Sequence, residues 1–151
     1  MRKISLILIL FSFNFTNAFS IEADVFIQST VNRASTILSK NISKDEKINQ
    51  LKSIAKETVD IRGVGFYSLG SARKNLNDNQ KIQYTKLFED YFLKSFSSRL
   101  AEYTNPEIEV NDKKVLNKNY TIVNSFLVET SERPEVKIDW RVYTKDPEKP
   151  L

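Results

Sequence analysis

The side chains of this sequence with types suited to catalysis are few, because histidine and cysteine are both absent. That absence removes the Ser-His-Asp triad, the cysteine nucleophile and any imidazole or thiolate zinc site. Carboxylate, lysine or tyrosine chemistry remains, and Asp90, Glu129 and Asp139 are the candidate carboxylates. A carboxylate in an apolar cleft beside a tyrosine is the arrangement of a steroid-isomerase-type site, which moves a proton next to a carbonyl. Residues of this kind are more often surface charges, so a small cleft enzyme is the lesser reading.

All three glycines fall in "RGVGFYSLGS", at Gly63, Gly65 and Gly70. A phosphate loop would need a preceding strand and a lysine at the P-loop position, and the third-glycine spacing fails the dinucleotide fingerprint. The stretch reads instead as a tight connection with close backbone packing, with Asp60 just ahead as a helix cap.

The densest feature is "QYTKLFEDYFLKSFSSRLAEY", Gln83 to Tyr103. On a helix Tyr84, Leu87, Phe88, Tyr91, Phe92, Phe96, Leu100 and Tyr103 form one stripe, with Lys86, Glu89, Asp90, Lys94 and Ser97 turned away. Such a stripe must bury against the rest of the protein or, in part, against a ligand.

A chain of 151 residues with 40% hydrophobic content suits one packed domain. Residues 1–20 have the layout of a secretory signal peptide: Arg2 and Lys3, the run "ISLILILFSFNF", then small residues at Ala18 and Ser20. Cleavage is expected after Ala18 or Ser20, with residues 21–151 as the single domain and the product free in an extracytoplasmic space; an uncleaved anchor is the weaker reading. Without Arg2 and Lys3, 21 of the 23 basic residues face 19 acidic ones, a surplus of two. The basic character is therefore a poor nucleic-acid signal, and Lys40, Lys44, Lys47, Lys52 and Lys56, interleaved with Asp45, Glu46 and Glu57, read as a solvated helix face.

The elements that position these residues divide into a helical first part and a strand-rich last part. Ala23, Ile27, Val31, Ala34 and Leu38 have helical spacing. Ser43 with Glu46 signals a cap before the stripe Ile48, Leu51, Ala55 and Val59. Asn77 with Gln80 gives another cap before the aromatic helix, expected to run about 26 residues, or roughly 39 Å. After Pro106 the period changes to two, in "EIEV" (107–110), "NYTIVNSFLVET" (119–130) and "EVKIDWRVYT" (135–144). The short polar connections "NDKK" and "SERP" predict an antiparallel meander, and helices followed by strands an α+β fold with the long helix across one sheet face. Rings facing Ile122, Phe126 and Val128 and Ile138, Trp140 and Val142 either close into a solid core, which favours a non-lipid interaction module, or roof an apolar cleft, and periodicity leaves both open.

In order and spacing, "VDIRGVGFYSLGS", "IQYTKLFEDYFLKSFSSRLAEY" and "VKIDWRVY" resemble the MlaC, or toluene-tolerance, family of periplasmic phospholipid-binding proteins. The family's Leu-Gly step is matched by Leu69 and Gly70, and its acidic-aromatic-basic strand centre by Asp139, Trp140 and Arg141. The resemblance implies a nuclear-transport-factor-2-like α+β fold, with N-terminal helices and one long helix on a curved antiparallel sheet. It implies no catalytic residue, no metal and no cofactor. It also implies a phospholipid as ligand, with an inner-membrane ABC transporter complex and an outer-membrane lipoprotein complex as partners, in a shuttle that maintains outer-membrane asymmetry. The lining it implies draws on Phe66 and Leu69, on Leu87, Phe88, Tyr91, Phe92 and Phe96 of the long helix, and on the six strand residues named above. Where the family carries a bulky run after Leu-Gly, this chain has Ser71, Ala72, Arg73 and Lys74. A further strand and a closing helix, also implied, find no counterpart before Leu151, so the domain is expected to be incomplete at its C-terminus.

Overall fold

The computed structural model describes residues 21–146 and 148–151, so the expected leader, residues 1–20, lies outside the described residues. Four α-helices precede three strands: α1 (Ala23–Ser39), α2 (Lys44–Thr58), α3 (Ile61–Ser68), α4 (Asp78–Leu100), β1 (Ile108–Asn117), β2 (Tyr120–Leu127) and β3 (Val136–Tyr143). A 3-10 turn, Gly70–Asn75, joins α3 to α4.

The caps lie where the sequence puts them. Ser43 Oγ accepts the Glu46 N–H at 3.2 Å. At the start of α4, Asn77 and Gln80 exchange side-chain-to-backbone hydrogen bonds at 2.9 Å in both directions, a complete capping box. The Asp60 carboxylate accepts the Gly63 N–H at 2.8 Å and starts α3. The glycine stretch is thus a helix and not the expected connection. Its cap and the burial of Ile61 and Gly65 on one side outweigh the poor helix propensity of two glycines.

The sheet is the expected meander, antiparallel in the order β1-β2-β3. Strand β1 is longer than its side chains suggest: of Asn111–Lys114, expected as a connection, Asn111 falls at a register shift and Asp112, Lys113 and Lys114 pair with β2, and the turn falls at Lys118 and Asn119. An edge strand needs only its backbone ladder on one side, and that ladder is indifferent to polar side chains.

Helices pack on this sheet in an α+β arrangement, but the one seated on it is α1, not α4. Ala23, Ile27 and Val31 of α1 bury against Val123 and Val142, with Ile108, Val110 and Trp140 at the margin. Lys113 of β1 fastens the start of α1 by pairing with Glu22 at 2.6 Å and Asp24 at 2.7 Å. Its hydrogen bond holds the Asp24 carboxyl below the usual carboxylate range, while the bonds to Asp24 and Glu22 raise the Lys113 ammonium. At the other end of α1, Ser35 Oγ donates to the Pro106 carbonyl at 3.1 Å.

Helix α4 packs instead on α2 and α3. Leu93 buries with Ala55 and Ile61 in a second apolar cluster. A third joins Ile37, Leu38, Leu51 and Ile54 to Leu100, Ala101 and Tyr103 at the end of α4. The interior is therefore three neighbouring clusters threaded by α1, α2 and α4. Tyr103, with the Arg133 guanidinium 4.5 Å from its ring centre, links the end of α4 to the β2–β3 connection.

Candidate functional site

Along α4 the rings of Tyr84, Phe88, Phe92 and Phe96 form a continuous ladder. Successive centroids lie 5.7, 6.2 and 5.3 Å apart and the planes are inclined by 28°, 22° and 11°. The four residues are spaced by four, and each step of four overshoots a helical turn by about 40°. The ladder therefore winds across the helix surface. One side of it packs on Ala55, Ile61 and Leu93 while the rings stay half-buried, so it is part core and part surface.

Close approach of α3 fixes the first rungs. Tyr84 Oη donates to the Gly65 carbonyl at 3.1 Å, and the missing Cβ of Gly65 is the space occupied by Phe88. Any Cβ there would sit 2.9 Å from Phe88 Cδ1. The polar handle of Tyr84 is thus turned into the protein. The same holds for the single tryptophan, since Trp140 Nε1–H donates to Ser125 Oγ at 2.7 Å. Ring surfaces free of unpaired polar atoms suit apolar matter and little else.

Not all of the expected lining comes together. Phe88, Phe92 and Phe96 stand in the ladder, whereas Leu87 and Tyr91 lie on its outer flank, 69% and 68% exposed. Phe66 sits on α3 with the Arg62 guanidinium 5.4 Å from its ring centre, and Leu69 is half-buried at the end of that helix. The strand residues separate by register. Thr121 pairs with Val142, Val123 with Trp140 and Ser125 with Ile138, which places Ile138, Trp140 and Val142 on the α1 side of the sheet. Ile122 pairs with Arg141 and Phe126 with Lys137, so Ile122 and Phe126, and Val128 by the same alternation, face the other way. A single sheet face bearing all six, as expected, is therefore corrected. Val142, 1% exposed, is core beneath α1.

Two residues of α4 carry more than the sequence suggested. Leu93 is buried, and Ser97, expected to point away, is fully buried with a hydroxyl that has no hydrogen-bond partner. Their own spacing of four, one position beyond Phe92 and Phe96, is the signal that marks a second buried row.

The carboxylates considered for catalysis are all exposed. Asp139 accepts from Asn124 Nδ2 at 2.6 Å on the outer sheet face, in a polar setting unlike the apolar cleft that such chemistry uses. Among the described residues no group of three or more acidic, histidine or cysteine side chains is placed to hold a metal ion.

Comparison with known proteins bears on what this arrangement serves. The sequence model of a family described as MlaC protein matches residues 28–150. Among solved structures, the chain is similar to a phospholipid-binding protein from Ralstonia solanacearum determined in complex with a phospholipid. The two superpose with a TM-score of 0.68 at 15% identity, covering 86% of this chain and 74% of that one. A comparison with curated proteins gives no match.

Proposed function

The chain belongs to the MlaC protein family, and from that premise we propose that it is a carrier that binds a phospholipid by its acyl chains. The observation that carries this reading is the half-buried ring ladder Tyr84–Phe88–Phe92–Phe96, an apolar wall whose one phenolic handle beside α3 is already bonded inward. Exposing lipid tails to water costs about 0.8 kcal/mol per methylene, so two chains of about 30 methylenes together face a barrier on the order of 25 kcal/mol. A soluble carrier must cover most of that surface. Stacked rings suit the task, because they present wide apolar area with few rotatable bonds. The head group needs no dedicated protein site if it stays in water.

Residues 1–20 act in this reading as an export signal, cleaved after Ala18 or Ser20, so that the mature domain works in the periplasm. There it shuttles phospholipid between an outer-membrane lipoprotein complex and an inner-membrane ABC transporter complex and so maintains lipid asymmetry. The reading is tested by transfer of a fluorescent phospholipid from donor to acceptor vesicles, with the mature chain as the only protein. Transfer that rises in proportion to protein supports a carrier, and transfer no faster than the vesicles alone overturns it. The intact mass of the exported chain gives its first residue, Phe19 or Ile21 in this account, and a product that keeps Met1 in the membrane fraction contradicts a free periplasmic carrier.

A further inference from the structure

The segment 61–86, running from α3 through the 3-10 turn into α4, holds Arg62, Arg73, Lys74, Lys81 and Lys86 against one acid, Asp78. Without Arg2 and Lys3, 16 basic and 18 acidic residues lie elsewhere, so this segment's surplus of four outweighs a deficit of two in the rest of the mature chain. Asp78 is engaged by Lys81 at 3.1 Å. Among the described residues, no carboxylate lies within 4.0 Å of Arg62, Arg73, Lys74 or Lys86.

The same surface carries apolar side chains that the fold does not cover. Tyr67 is 76% exposed and Ile82 69%, with Val64 also exposed. A shallow depression of about 330 Å³ between α3 and α4 is lined by Arg62, Phe66, Lys81, Ile82 and Lys86, and by one carboxylate, Glu89, which Lys56 engages at 3.6 Å. Helix α3 buries only Ile61 and Gly65, and its Arg62, Val64, Tyr67 and Ser68 are exposed. Exposed aromatic and aliphatic groups flanked by cations, four of them without a carboxylate partner, match the layering of a bilayer interface, where rings settle at the acyl boundary and long cationic side chains reach the phosphates.

We infer that the α3, 3-10 turn and α4 N-terminal surface docks on an anionic phospholipid membrane. The ring ladder is not needed for this contact. The surface therefore belongs to a step separate from holding a single lipid, and the inference stands on charge and exposure without the carrier reading.

The test is flotation of the mature chain with two kinds of vesicle, phosphatidylethanolamine mixed with phosphatidylglycerol, and phosphatidylcholine alone. The chain should float with the anionic vesicles, release as salt rises, and ignore the zwitterionic ones. Each cation near the surface contributes about fivefold in affinity, so Arg62→Gln, Arg73→Gln and Lys74→Gln together should weaken binding on the order of a hundredfold. Tyr67→Ser, at a position 76% exposed, should weaken it further by a smaller factor. Lys40→Gln, Lys94→Gln and Lys145→Gln change the net charge equally elsewhere and should leave most of the binding. Equal loss in that control would reduce the effect to net charge and overturn the inference. A native chain that ignores anionic vesicles would also overturn it, and would hand these cations to an acidic protein partner. Lipid retained by the purified chain is scored in parallel. Retained lipid without vesicle docking sinks this inference alone, and docking without retained lipid sinks the carrier reading alone.

Discussion

Gly65→Ala sets two effects of similar size against each other, and the structure says which wins. Alanine in place of a helical glycine stabilises a helix by up to about 1 kcal/mol. The new Cβ, however, would stand 2.9 Å from Cδ1 and 3.1 Å from Cγ of Phe88, well inside the ordinary carbon–carbon contact. The ring cannot swing freely, because Tyr84 and Phe92 flank it at 5.7 and 6.2 Å and Tyr84 is tied to the Gly65 carbonyl. Overpacking of this kind costs about 1–3 kcal/mol. The expected net is a loss of about 1 kcal/mol, or a melting temperature lower by about 4 °C, read by circular dichroism. Phe88→Leu removes the flat ring from the gap. In that background Gly65→Ala should become neutral or stabilising, giving a coupling above about 1 kcal/mol in the double-mutant cycle. If Gly65→Ala stabilises the otherwise native chain by its full helical propensity, Phe88 does not rest on Gly65 and the seating of the ladder on α3 is wrong.

Trp140→Phe should destabilise by about 1–3 kcal/mol in urea denaturation, because it leaves the buried Ser125 hydroxyl without its 2.7 Å donor; pairing it with Ser125→Ala should recover part of the loss. Ser97→Ala removes a buried hydroxyl that has no partner, so stability should hold or rise by up to about 1 kcal/mol, and a clear loss would reveal a bond to that oxygen. Asp24 has its carboxyl lowered by Lys113, so its contribution is complete above its unfolded value near pH 4 and is lost as pH falls through the lower folded value. Asp24→Asn should flatten the acid limb of a pH–stability curve over that window and leave the slope above pH 5 unchanged.

Helix starts were readable because the caps are local chemistry: Ser43, Asp60 and Asn77 each bond a backbone N–H three residues on. The strand order followed from short connections, as in a meander. What the sequence hid was tertiary. Strand β2 alternates Ile122 and Phe126 with Thr121, Val123 and Ser125, and the larger set invites the reading of a buried face. The structure buries the smaller set, since α1 approaches closely through Ala23, Ile27 and Val31 and needs small partners beneath it. The long aromatic helix was readable as a helix, but its seat was not. A stripe of rings fits a sheet or another helix equally well, and only the packing of α3 and α2 against Leu93 decides between them. The ladder itself follows a spacing of four alone, which the broader mixed stripe of three and four obscured. Leu87 and Tyr91 belong to that broader stripe and fall on its exposed flank.

The central claim is that the ring ladder holds phospholipid, and native mass spectrometry of residues 21–151 tests it most directly. The account predicts a population heavier by one phospholipid, reduced by half or more when Phe88, Phe92 and Phe96 are each changed to leucine, at conditions where circular dichroism shows each variant folded. A native chain that flies only at its bare mass, or leucine variants that carry lipid as fully as the native chain does, would contradict it.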